Sequence, residues 1–148
     1  MGAKIRIAVI VAATSGGCGG SPTSPDTTLN ELRNAPLAVS IDGTTIELRA
    51  SLWRDFMPVV PPGGNPLQVS VRLSSAATTA DIDRLWVLFG DELWDAAPVR
   101  STGSAEWIAR GGPQWPPGSR VDVVVRVRTR DGRARLVRAA DQKINASF

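Results

Sequence analysis

The chain has 148 residues, 17 basic against 14 acidic, with five tryptophans, one cysteine, and neither histidine nor tyrosine. Without imidazole, Ser-His-Asp and Cys-His catalysis and the commonest metal ligand are excluded, and a lone cysteine excludes an internal disulfide. The net charge is +3, falling to +1 once residues 1–17 are set aside, and a chain that near neutrality has little whole-molecule drive toward nucleic acid or an anionic membrane.

The first twenty residues read as an address. Lys4 and Arg6 precede an apolar run over 7–13, followed by Thr14-Ser15-Gly16-Gly17 and Cys18. That run is far short of the ~20 residues a membrane-spanning helix needs, but it suits the apolar centre of a secretory signal. The segment resembles a bacterial lipoprotein signal, with Ser15 standing where the family normally has an aliphatic residue. The resemblance implies cleavage before Cys18, lipid on its sulfur, and an exported cell-envelope protein held at a membrane, in the outer membrane or facing the periplasm. Loss of residues 1–17 removes Lys4 and Arg6, leaving 15 basic against 14 acidic residues and a net charge of +1. The expected organisation is a signal over 1–17, a lipidated cysteine and disordered tether over 18–36, and one folded domain over 37–148. Gly19-Gly20-Ser21-Pro22-Thr23-Ser24-Pro25 is too poor in apolar residues to order itself. A helical turn over 29–33 is at most a minor element of this tether.

From residue 37 the texture becomes that of a sheet. Leu37, Val39 and Ile41 alternate, Asp42-Gly43 turns the chain, and a strand follows over 45–52. Residues 57–66 form a loop, because repeated proline removes backbone donors. Leu67, Val69, Val71 and Leu73 make a period-2 strand, and 85–89 is a continuous apolar run suited to a central strand buried on both faces. Shorter strands are expected at 92–94 and 106–109. Over 121–129, Val121, Val123, Val125 and Val127 point one way, and Asp122, Val124, Arg126 and Arg128 the other. Asp131-Gly132 turns into a strand over 133–139, and 144–148 forms a last one.

Seven or eight short strands with almost no helical periodicity predict an all-β fold, a single antiparallel β-sandwich. In strand count and length the pattern resembles an immunoglobulin- or fibronectin-type domain, without the Cys…Trp…Cys hallmark and without pointing to a functional family. An outer-membrane barrel is a poor fit, since the strands fall short of ~9–11 residues and tyrosine is absent from any interfacial girdle.

Three groups of side chains carry chemistry worth weighing. Asp91, Glu92 and Asp95 cluster in a turn after the apolar run, with Asp81 and Asp83 before it, and paired carboxylates can hydrolyse a glycan. Their spacing is not that of a calcium loop, no glycine pair has the strand–helix context of a phosphate loop, and neither cofactor nor metal is expected. Trp86 reads as core, whereas Trp53, Trp94, Trp107 and Trp115 are candidate aromatic contacts for a sugar or a protein. Arg126, Arg128, Arg130, Arg133 and Arg135 crowd one hairpin, with Arg138 close by. This is a candidate binding face for an envelope protein or an anionic glycan. Without interleaved aromatics it is a poor one for nucleic acid. The functional expectation is a non-catalytic binding or structural module of the cell envelope. The alternative is a carboxylate-dependent glycan hydrolase.

Overall fold

A computed structural model describes residues 27–75 and 80–148. It contains one short helix, α1 (Leu29–Arg33), and nine strands: β1 (Ala38–Ile41), β2 (Thr44–Asp55), β3 (Leu67–Leu73), β4 (Asp81–Phe89), β5 (Glu92–Ala96), β6 (Val99–Arg100), β7 (Trp107–Gly112), β8 (Arg120–Arg128) and β9 (Ala134–Ser147). The fold is all-β, a curled mixed sheet in the order β5-β4-β8-β9-β2-β3-β7-β6, with β1 added on β2. Every pairing is antiparallel except that of β2 with β9, so the purely antiparallel expectation is corrected at one place. The parallel pair joins an early strand to a late one, with most of the domain forming the connection that parallel pairing requires.

Local chemistry explains the turns. Asp42 (φ 50°) and Gly43 (φ 78°) both lie in the left-handed region, which a two-residue hairpin between β1 and β2 demands. Asp131-Gly132 likewise closes the β8–β9 hairpin, with the Thr129 amide donating to the Arg133 carbonyl. The valines of β8 divide as their alternation requires. Val121, Val123, Val125 and Val127 enter the main core with Leu52, Val69, Leu85 and Ile144.

Val124 belongs to a second cluster on the opposite face of the sheet, with Leu32, Ala35, Trp86 and Leu88. Trp86, expected in the core, is buried here. This cluster is why β4 is apolar on both faces: the main core covers one and α1 the other. A capping box starts α1, with Thr28 Oγ1 accepting from the Glu31 amide and Glu31 accepting from the Thr28 amide. Residues 28–36, expected in the tether, are therefore folded. Leu32 is fully buried, the Arg138 side chain donates to the Ala35 carbonyl, and the Arg138 amide donates to the Pro36 carbonyl.

Two further boundaries move. Asp81 and Asp83 do not precede the strand but lie in it, Asp83 at a bulge between Ile82 and Arg84. The two strands expected at 133–139 and 144–148 are one strand, β9, which pairs with β8 through Lys143 and with β2 from Ile144 onward. It changes partner just past an irregularity where Asp141 takes φ 54° and its amide donates to the Asp122 carboxylate. No helix among the described residues is long and apolar enough to cross a membrane.

Candidate functional site

The arginine hairpin does not assemble as one face. Arg126 and Arg128 share the outer face of β8 and converge on Asp83, which the bulge in β4 turns toward them. The Arg126 guanidinium is bidentate on that carboxylate, at 2.8 and 3.0 Å, and Arg128 Nε also donates to it. Partial burial opposes ionisation of Asp83, but the hydrogen bonds and charges of the two arginines outweigh it and hold the carboxyl below its ordinary value of 3.8. Arg135 pairs with Val127 across the ladder and so belongs to the other side of the sheet. Arg133 salt-bridges Asp131 in the turn, and Arg130 is exposed without an ion pair among the described residues. The expected five-arginine face is corrected to a compensated Asp83 centre on one side of the sheet and exposed cations at the hairpin tip.

Of the carboxylates that could have formed a hydrolytic pair, Asp91 and Asp95 are held by arginines, and Glu92 is exposed without an ion pair among the described residues. Asp95 receives a bidentate pair of hydrogen bonds from Arg84, at 2.7 and 2.6 Å. Asp91 pairs with Arg33 at 2.7 Å, and the same guanidinium donates to the Gly90 carbonyl, pinning the end of α1 to the β4–β5 turn. Asp81 accepts from the Trp107 indole N–H at 3.1 Å. Among the described residues, no group of three or more Cys, Asp or Glu gathers where a metal ion could sit.

The tryptophans also divide. Trp107 and Trp115 are buried, 3% and 7% exposed, so the expectation that they offer aromatic contacts is corrected. The first is fixed by Asp81, and the second packs on Phe89 with ring centroids 5.4 Å apart. Trp53 is half-buried on the outer side of β2, in register with Gln68 of β3 and Asn145 of β9. Trp94 is half-buried at one end of the curled sheet. A Cβ on Gly112, in β7 at the far end of the strand order, would stand 2.8 Å from the Trp94 indole. The two ends of the sheet thus meet through a tryptophan laid on a glycine, without a strand ladder between them.

A groove of about 640 Å³ opens along this seam, lined by Trp94, Asp95, Val99, Arg100, Ile108 and Arg110, among others. Both borders are strand edges. β5 pairs only with β4, and β6 pairs with β7 at Trp107 and Ile108 alone, leaving Ala109–Gly112 without a ladder partner on that side. Arg100 and Arg110 are exposed and form no ion pair among the described residues. Arg100 lies over the Trp107 ring at 5.2 Å, and Arg110 donates to the Gln68 amide oxygen. Neither arginine stands out along the chain, because they sit on separate short strands that only the curl of the sheet brings together.

Arg54 was missed as well. It is 3% exposed and reaches four backbone carbonyls, those of Gly63, Asn65, Gln114 and Trp115, tying the proline-rich loop to the segment after β7. Its only sequence signal is alternation: Ile46, Leu48 and Leu52 of the same strand put position 54 on the inward face.

Cys18 and residues 1–26 lie outside the described residues. Comparison with protein-family models, curated proteins and solved structures found no match.

Proposed function

We propose that the protein is an exported cell-envelope lipoprotein, anchored through Cys18, whose domain binds a partner without catalysing a reaction. The observation that carries the binding reading is the seam. It is a concave site where two uncompensated arginines stand beside Trp94, Val99 and Ile108, in a domain whose other sheet-face charges are largely paired. The same pairing weighs against the glycan-hydrolase alternative, since Asp91 and Asp95 are each committed to an arginine. The mature charge near neutrality agrees with a partner recognised locally rather than by a whole-molecule field.

The domain is, on this reading, an immunoglobulin-like sandwich. Strands β5-β4-β8-β9 would form one layer and β2-β3-β7-β6 the other, with the first long strand parallel to the last. Taken as A, B, C, C′, D, E, F and G, strands β2 to β9 give the C′CFG and ABED sheets of that topology.

Two measurements test the proposal. Wild type partitions with membranes, and Cys18→Ser moves the protein to the soluble exported fraction; unchanged partition of the variant rules out the anchor. Purified protein releases no reducing sugar from envelope glycans. Release that disappears in a Glu92→Gln/Asp95→Asn variant instead favours the hydrolase.

A further inference from the structure

We propose that the seam between β5 and β7 takes an extended, acidic segment of a partner polypeptide, added as a strand. The inference rests on the binding reading above and names its ligand class.

A free strand edge presents unpaired N–H and C=O groups at the spacing of another strand, and natural proteins usually blunt such edges with proline, lysine or a covering loop. Here the only such device is Pro98, in the link from β5 to β6. Glu92–Ala96 contains neither proline nor lysine, and Ala109–Gly112 has its strand partner β3 on one side only. The sheet ends do not zip together directly: the Trp94 indole packs between them on the core side, against Gly112, and the groove lies outside it. The indole thus floors the groove, and an incoming strand would lie across it.

The chemistry of the walls selects the segment. Asp95 is neutralised by Arg84, so the uncompensated charges at the groove are Arg100 and Arg110, both positive. They favour carboxylates on the incoming chain. By the ladder register Arg100 lies on the Trp107 side of the sheet and Arg110 on the Ile108 side, so an incoming strand meets a cation on each face, beside the apolar surface of Trp94, Val99 and Ile108. An anionic glycan would satisfy the arginines but leave the strand edges without partners, which is why a polypeptide is favoured.

The test uses the full chain and a short fluorescent peptide repeating Glu-Glu-Val-Val, which carries carboxylates on both faces of a strand, followed by anisotropy and amide hydrogen exchange. Saturable binding is expected, with slowed exchange confined to 92–96 and 109–112. Reversing the two exposed cations (Arg100→Glu/Arg110→Glu) should weaken binding at least tenfold, with the thermal midpoint unchanged. The same peptide N-methylated at alternate residues should not bind, because it cannot complete the ladder. No binding of the parent peptide, equal binding of the N-methylated form, or equal binding of a lysine–valine peptide overturns the proposal. So does polygalacturonate protecting the seam in the peptide's place, which would make the ligand a glycan. None of these outcomes alters membrane partition through Cys18, so failure at the seam is distinguishable from failure of the anchored-module reading.

Discussion

Substituting Arg54 by methionine isolates what a buried cation without a carboxylate partner does for this fold. The methionine keeps most of the apolar stem and removes the guanidinium, with its donors to Gly63, Asn65, Gln114 and Trp115. The bond to the Trp115 carbonyl is fully buried, so its loss strands an acceptor at about 1–3 kcal/mol. The other three bonds are partly buried, where water can re-enter, and each costs roughly 0.5 kcal/mol. Loss of the guanidinium over the Phe56 ring, at 4.9 Å, adds about 0.5–1 kcal/mol. Relief of the cation's own desolvation offsets part of this sum. The net expectation is a loss of about 3 kcal/mol, or roughly 10 °C in thermal midpoint for a domain of this size. Urea unfolding with unchanged m-value is the primary assay, and hydrogen exchange at Gly64 and Asn65 should accelerate first, since Arg54 ties that loop down. A loss under about 1 kcal/mol, or acceleration spread evenly over the sheet, would refute the reasoning.

Three other outcomes follow from named contacts. Asp83→Asn leaves Arg126 and Arg128 facing each other without their shared carboxylate, and should cost about 2–3 kcal/mol at neutral pH by chemical denaturation. Because the folded-state pKa of Asp83 is lowered, its contribution is complete above the ordinary carboxylate value and disappears as pH falls through the lowered one. Wild type should therefore lose stability below about pH 4, and the Asp83→Asn variant should do so less steeply over the same titration. Leu32→Ala opens a cavity beneath α1 and should cost about 2–3 kcal/mol, with exchange accelerating in β4 and at Val124 while the β2–β3 pairing is unaffected.

The local features were legible because their physics is local. The Asp42-Gly43 hairpin, the Leu67–Leu73 alternation and the valine ladder of β8 each follow from turn chemistry or period-2 burial within one segment. What escaped depends on registers set elsewhere. The bulge at Asp83 decides which side of β4 it faces, so no count along the sequence could pair it with Arg126 and Arg128. The irregularity at Asp141 lets one strand serve two partners, which along the chain looks like two strands separated by polar residues. Helix α1 is five residues long, too short for helical periodicity; its available signal was the Thr28…Glu31 capping box. The tryptophans show the same limit: Trp53 and Trp107 differ in burial only because Asp81 and the inward face of β7 claim the latter. The seam, where Arg100 and Arg110 meet Trp94, exists only through the curl of the whole sheet.

The central claim is that this domain is displayed at a membrane on a lipidated Cys18, ready to bind. The intact mass of protein extracted from the membrane fraction tests that claim most directly. It should correspond to a chain beginning at Cys18 and carrying a diacylglycerol increment. An unmodified chain, or one retaining residues 1–17, would contradict it.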